Sequence, residues 1–170
     1  MQLNSLEDVL HEELEDLHSA ERQLVVALPE IAGAATSEEL RDAILEHMDE
    51  TREHVRRLDT IFQQLGLSSP VGHCEAMEGL IREGQEIVAA GGDPIARDAA
   101  LIGAAQRVEH YEIAAYGTAR TLADELGHAE TAMILDSTLR EEGQADKKLT
   151  KIATGGLFRS GLNTAAAGRS

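Results

Sequence analysis

Residues 40–65, LRDAILEHMDETREHVRRLDTIFQQL, give the strongest indication of the fold. Alternating steps of three and four residues follow one face of an α-helix, and here that face is apolar at both ends and polar in the middle. It consists of Leu40, Ile44, His47, Glu50, His54, Leu58, Ile61 and Leu65. Because the apolar ends need a partner surface, we expect the two histidines and the glutamate to lie inside the protein.

The whole chain is predicted to be all-α, since no alternating strand pattern competes with the helical period. The four long helices are predicted over residues 3–31, 38–65, 94–126 and 129–153. Their expected boundary residues are Thr36 and Glu39 (a capping box), Asp93 and Pro94 (an N-cap and a first-turn proline), and Gly66, Gly127 and Gly155 (helix ends). Pro29 is expected to kink or shorten the end of the first helix.

The connections between these helices predict their arrangement. Two links of a few residues make two antiparallel hairpins, whereas residues 66–93 form a long connection that contains an amphipathic segment, CEAMEGLIREGQEIVAA. Two hairpins joined by one long crossover, here with a short helix of its own, form the ferritin-like four-helix bundle. We therefore predict one such domain over residues 1–154. Residues 155–170, rich in Gly, Ala and Ser, are predicted to be a flexible C-terminal tail.

Each long helix carries carboxylates near the middle of its apolar face. Buried carboxylates are costly unless cations, shared protons or metal ions neutralise them. The nearest basic residues, such as Arg52 and Arg107, lie largely off these faces, which leaves protons or metal. One glutamate from each of four helices, with histidine one turn away, is the ligand set with which a helical bundle binds two iron or manganese ions. The candidate metal ligands are Glu21, His47, Glu50, Glu109, Glu112 and Glu142, and His54 or Asp146 is left open as a further ligand.

Composition and charge restrict the function classes. The 170 residues include 31 acidic and 15 basic side chains, a formal charge of −16, which disfavours binding to nucleic acid or to an anionic membrane. No apolar run approaches a membrane span, and the first residues do not resemble a secretory signal. The single cysteine, Cys74, suits a reducing compartment, so a cytoplasmic location is expected. Cys74, Tyr111 and Tyr116 are interpreted as packing residues.

Several segments, in order, resemble the YciF-like stress-protein family of ferritin-like bundles. They are HSAERQLVVALPEIA (18–32), HMDETREHVRRLD (47–59), CEAMEGLI (74–81), AAQRVEHYEIAAYGT (104–118) and EEGQADKKLTKIA (141–153). The resemblance implies a ferritin-like fold, metal binding within the bundle, a cytoplasmic role in stress and a homodimer. The expected cofactor is a pair of divalent metal ions, with iron favoured over manganese.

By the same resemblance, Glu21, Glu50, Glu109 and Glu142 take the places of the one-per-helix glutamates of di-iron bundles. The histidines depart from that pattern. Where such bundles have Glu-x-x-His on two helices, this chain has His47-x-x-Glu50 on one and Glu142-x-x-Ala145 on the other. Glu112 or Asp146 would have to fill the vacant position, and an oxygen-richer ligand set shifts the preference toward harder ions.

Three functions remain open from the sequence. The first is a redox or metal-handling protein whose carboxylate-bridged metal pair reacts with a small oxidant, oxygen or peroxide. The second is metal sequestration without turnover. The third is a non-catalytic acidic scaffold or interaction protein in stress response, in which the buried acids share protons. The sequence does not decide whether the protein is an enzyme.

Overall fold

Four long helices and one short crossover helix follow each other in the predicted order. The computed structural model describes residues 3–68, 70–156 and 159–168. Its elements are α1 (Leu6–Ala34), α2 (Glu38–Gln64), α3 (Glu75–Ala89), α4 (Pro94–Glu125), α5 (Ala129–Thr154), β1 (Gly155–Gly156), β2 (Arg159–Ser160) and α6 (Leu162–Ala167). The prediction of an all-α bundle with a helical crossover is confirmed.

The helix boundaries are mostly those expected, with three differences. Asp93 caps α4 by accepting from the backbone N–H groups of Ile95 and Ala96. The N-cap of α2 is Ser37 instead of Thr36, and the capping box lies at the start of α1, where Ser5 and Asp8 bond reciprocally. The expected shortening at Pro29 does not occur, because α1 continues to Ala34. Pro29, which lacks an N–H group, lies on an exposed side of the helix. The glycine stops are confirmed, with φ of 65° at Gly66, 81° at Gly127 and 80° at Gly155.

One buried carboxylate shows how the crossover returns the chain along the bundle. Asp98, in the first turns of α4, accepts hydrogen bonds from the backbone N–H groups of Thr36 (2.9 Å) and Ser37 (2.7 Å), in the link between α1 and α2. The start of α4 therefore lies at the end where α1 stops and α2 begins. α2 and α4 run parallel, and the crossover spans the length of the bundle, with α3 packed on α1 and α4.

The apolar core is divided into two clusters along the bundle axis. One contains Leu24 and Leu28 of α1, Ile44 of α2 and Leu101 of α4, and the crossover helix contributes Met77 to it. The other lies toward the opposite end of the bundle; its largest members include Leu14, Leu17, Leu58, Ile61, Phe62, Tyr116 and Leu135. Between the two clusters, all four long helices bring polar side chains inward, as the interrupted apolar faces predict.

The described part of the tail has regular structure that the sequence does not predict. Gly155 and Gly156 pair with Ser160 and Arg159 in a two-residue antiparallel ladder, and α6 packs against α4 and α5. Residues 157, 158, 169 and 170 lie outside the described residues. The division at 154/155 coincides with the end of α5, and the predicted mobility of the segment stays a prediction.

A candidate metal centre between two apolar clusters

Six titratable side chains converge in the middle of the bundle, and we call them the polar layer. They are Glu21 of α1, His47 and His54 of α2, Glu109 and Glu112 of α4, and Glu142 of α5. Each is at most 7% exposed. Since the apolar clusters lie on both sides of it, the polar layer is shielded from water along the bundle axis.

One half of the polar layer is centred on His54. Its Nδ1 lies 2.9 Å from Glu142 Oε1 and 3.3 Å from Glu21 Oε1, without the angle of a hydrogen bond to either oxygen. On the other side of the ring, Nε2 lies 2.9 Å from Glu141 Oε2. Glu141 in turn accepts from Arg57 at 2.6 and 3.0 Å. The outer partners thus hold the imidazole with Nδ1 facing two carboxylates, an orientation typical of a metal-binding histidine.

The other half is centred on His47. Its Nε2 lies 3.6 Å from Glu109 Oε1, and its Nδ1 lies 4.0 Å from Glu142 Oε2. Two groups of side chains each offer ligand atoms that lie within 4.8 Å of one another. One group is His47, Glu109, Glu112 and Glu142, and the other is Glu21, His54 and Glu142. Glu142 belongs to both groups. Its two oxygens face different histidines, which is the placement of a carboxylate that bridges two ions.

The polar layer holds buried atoms that hydrogen bonding leaves unsatisfied. Within the described part of the chain, several of these buried atoms have no hydrogen-bond partner. They are both oxygens of Glu112 and Glu142, one oxygen each of Glu21 and Glu109, both nitrogens of His47, and Nδ1 of His54. A buried polar atom without a partner costs about 1–3 kcal/mol, and a charged one costs more. Among the same residues, no Lys or Arg nitrogen lies within 4.0 Å of these four carboxylates. The donor set therefore fits two oxygen- and nitrogen-binding divalent ions.

Burial and mutual repulsion shift the pKa values of the polar layer. Burial raises the pKa of Glu109 to about 8, with the charge of His47 opposing and that of Glu142 adding. Burial, with the charges of Glu142 and Glu21, holds the pKa of Glu112 well above its usual range, and burial also raises the pKa of Glu21. Without metal, these carboxyls hold protons more tightly than they would in water.

The pKa values of the two histidines are raised, whereas burial ordinarily lowers the pKa of an imidazole. Burial alone would lower their pKa values, but the facing carboxylates outweigh it. Glu109, Glu50 and Glu142 raise the pKa of His47 to about 9, and Glu142 and Glu21 raise that of His54 to about 11. In the absence of metal, the imidazolium groups and the shared protons take over part of the neutralisation.

The structure brings together five of the six predicted ligands. Glu50 stands apart: its side chain is 40% exposed, and its Oε2 lies 3.8 Å from His47 Nδ1 at the edge of the polar layer. Of the two side chains left open, His54 lies inside the layer. Asp146 instead accepts from Gln106 Nε2 at 2.9 Å and lies 3.7 Å from His110. The role of Glu50 as a ligand stays a prediction.

The sequence does not indicate the supporting roles of three residues, Tyr116, Glu141 and Arg57. The Tyr116 hydroxyl donates a 2.6 Å hydrogen bond to Glu21 Oε1, so this tyrosine does more than fill the core. Glu141 and Arg57 hold His54, as described above. Arg57 lies three residues after His54, on nearly the same helix face, and that spacing is a signal that could have found it.

A second, partly buried cluster lies under the crossover. The Tyr111 hydroxyl donates to Asp16, and the Cys74 thiol lies 3.0 Å from the Tyr111 hydroxyl and 3.2 Å from Asp16 Oδ2. Burial raises the pKa of Cys74, which keeps it a thiol. Cys74 also caps α3 by accepting from Met77 N–H. These contacts agree with a packing role for Cys74 and add a polar link between α1, α3 and α4.

Comparison with known proteins places the chain among described relatives. The sequence profile of a family described as a domain of unknown function, DUF892, matches residues 5–162. Protein YciF of Escherichia coli strain K12 is 42% identical over 166 residues, covering 97% of this chain and 100% of that protein.

Solved structures resemble the bundle closely. The crystal structure of the E. coli stress protein YciF has a TM-score of 0.85 at 44% identity, covering 88% of this chain and 94% of that one. YcfI of Rhodopseudomonas palustris, described as a candidate structural protein, has a TM-score of 0.86 at 39% identity, covering 89% and 97%. A Xanthomonas campestris protein at 21% identity and a TM-score of 0.68 shares the fold. In the described ranges of this chain, every helix is too short or too polar to cross a membrane.

Proposed function

This chain belongs to the DUF892 family, and from the geometry of its polar layer we propose that it binds two divalent metal ions, iron rather than manganese, within a YciF-like bundle. The observation that carries the proposal is the convergence of unsatisfied buried atoms from all four long helices. In the described part of the chain, no Lys or Arg side chain lies within 4.0 Å of these carboxylates, and the Tyr116 hydroxyl hydrogen-bonds one oxygen of Glu21 only.

Charge supports the same stoichiometry. Glu21, Glu109, Glu112 and Glu142 together bear four negative charges when ionised, and two divalent ions balance them with both histidines neutral. Glu21, His54 and Glu142 would hold one ion, and His47, Glu109, Glu112 and Glu142 would hold the other. The holding contacts are already in place, since Tyr116 orients Glu21 and Glu141 orients His54.

The role that we propose for these ions is redox or metal-handling chemistry in the cytoplasm under stress. Iron ions in such a site would supply reaction with oxygen or peroxide. The apolar clusters above and below shield the polar layer from water along the bundle axis, and the carboxylates can hold or release protons there. A homodimer belongs to the same proposal, in keeping with the family resemblance.

Thermal melts with and without added Fe(II) or Mn(II) test the proposal. A ligand that binds only the folded state raises its melting temperature by mass action, so a clear upward shift is expected for the wild-type chain. Glu130→Ala, an exposed change on α5, should shift equally, whereas Glu142→Ala should lose most of the shift. If neither ion moves the wild-type melting temperature, the proposal fails.

A non-catalytic scaffold is the second candidate. It is favoured by the description of the relative YcfI as a candidate structural protein. In that case the buried acids would share protons among themselves, as their raised pKa values allow. The two candidates separate on metal content alone, because only the first requires bound ions.

A further inference from the structure

A pocket of about 250 Å³ leads from the protein surface to the polar layer. It lies between α2, α4 and α5, and its inner end is formed by His47 and Glu109. At its outer rim, Lys148 of α5 pairs with Glu46 of α2, and both side chains are exposed. We call it the α2–α4–α5 pocket. It gives the polar layer a side entrance with a charged rim.

Small side chains create the room in this pocket. Ala43, Ala105 and Ala145 contribute one wall position from each of the three helices. Ala145 lies three residues after Glu142, at the position where bundles with a Glu-x-x-His motif have their second histidine. Because this chain has alanine at that position instead of histidine, space is left in the pocket.

The pocket walls between rim and inner end are mostly apolar, and Glu50 and Gln144 add polar side chains to the lining. Leu28, Ile44 and Leu149 face the same space as the alanines. A second cavity of about 30 Å³ shares Leu28, Ile44 and Ala105 and extends the apolar lining toward α3. An apolar cavity of roughly 150 Å³ is already large enough to bind benzene. The α2–α4–α5 pocket thus exceeds what an oxygen or peroxide molecule needs.

From these observations we infer that the α2–α4–α5 pocket binds a small organic molecule with an apolar body of about one aromatic ring and one oxygen donor. The body lies between the three alanines, and the donor faces His47 and Glu109. The part of this inference that concerns the donor rests on the proposed metal site. The part that concerns the apolar body rests on the pocket alone.

Calorimetric titration of the zinc-loaded protein tests the inference, because zinc is redox-inert and its content can be measured in the same sample. The probes are benzoate, which has ring and donor, and acetate, which has the donor without the ring. Benzoate should bind about tenfold tighter than acetate or more, since its ring buries apolar surface. Equal affinity would overturn the inference and leave the pocket as a passage for ions or oxidant.

Pocket-filling variants locate the binding. Ala145→Leu should weaken benzoate binding about tenfold without lowering zinc content, and Ala105→Leu provides the same test from α4 if the first variant does not fold. Ala100→Leu, an exposed position on α4, is the matched control and should bind as the wild type does. Unchanged benzoate affinity in folded pocket-filling variants would contradict the inference.

Failure of the proposed metal site gives a different result. If the wild-type chain takes up no zinc, benzene is titrated into the metal-free protein, since the apolar body needs only the walls. Benzene binding that Ala145→Leu abolishes supports the pocket although the metal proposal has failed. The absence of benzene binding in that case overturns the pocket as well.

Discussion

His54 Nε2 lies 2.9 Å from Glu141 Oε2, while Nδ1 of the same ring faces the carboxylates of Glu21 and Glu142. Glu141 is itself held by two hydrogen bonds from Arg57. The chain Arg57–Glu141–His54 therefore runs from the surface of the bundle to its centre. It sets the direction in which the imidazole presents its inner nitrogen.

Removing Glu141 should weaken metal binding while leaving the inner side chains in place. Glu141→Ala is expected to reduce metal affinity by about 10–100-fold, the usual effect of losing the outer partner of a metal-binding histidine. Asp136→Ala, on the same helix and paired with Arg140, is the control and should have no effect. Competition against a chelator of known affinity measures both. Equal affinity in the two variants would show that the contact of Glu141 with His54 does not support metal binding.

Glu142 and Glu50 should differ in what their loss removes. Glu142→Ala should abolish binding of both ions, because its oxygens face both histidines. Glu50→Ala should remove at most one ion, and Glu53→Ala, which changes a surface ion pair with Arg56, should remove none. Metal content at matched folding, measured by elemental analysis, decides. Full metal content in Glu142→Ala would contradict the bridging role, and full content in Glu50→Ala would remove Glu50 from the ligand set.

The metal-free protein should lose stability as the pH rises. The pKa of Glu109 is about 8 in the folded chain against an ordinary 4.5, so the folded state binds the proton more tightly, and stability falls between these values. The pKa values of His47 and His54 are about 9 and 11 in the folded chain against an ordinary 6.5. The stability that their protonation contributes is therefore complete below pH 6.5 and is lost as the pH rises through the folded-state values. Both groups act in the same direction.

Urea unfolding of chelator-treated protein at pH 5.5 and pH 8.5 measures this dependence. The midpoint should be lower at pH 8.5, and Glu109→Gln should reduce the difference because it removes one of the titrating carboxyls. Added metal should reverse the trend, since its ligands must lose protons to bind. A metal-free midpoint that is equal or higher at pH 8.5 would show that the polar layer does not hold these protons.

Asp98 should matter for stability and not for metal. It is fully buried and accepts two backbone hydrogen bonds from the link between α1 and α2. Asp98→Ala is expected to cost about 2–4 kcal/mol in the free energy of unfolding, because it removes two hydrogen bonds from backbone N–H groups to a buried carboxylate. Metal content of the folded variant should be unchanged. Asp124→Ala, at an exposed position on α4, should have little effect in the same urea titration.

Helical period alone predicts most of the bundle and most of the polar layer. Glu21, Glu109, Glu112 and Glu142 interrupt apolar faces, and the structure buries all four. The helical period wrongly predicts that Glu50 lies inside the protein, since its side chain is 40% exposed. At 100° per residue it lies about 70° from the centre of the buried face of α2, whereas Thr51 lies about 30° from it. Thr51 is fully buried, and its hydroxyl donates to the His47 carbonyl.

Contacts between distant helices are what the period cannot predict. The bond from Tyr116 to Glu21 joins residues 95 positions apart, and the pair of His54 with Glu141 joins residues 87 apart. Both depend on how α1 and α4, or α2 and α5, are set side by side. The structure supplies that register, which local spacing does not contain.

Whether the polar layer binds two ions is best decided by the metal content of the wild-type protein after native purification without chelator. Elemental analysis should find about two divalent ions per chain, mainly iron, and Glu142→Ala purified in parallel should contain close to none. The same near-zero content in the wild-type chain, persisting after incubation with Fe(II) and Mn(II), would contradict the account and leave a bundle whose buried acids are neutralised by protons.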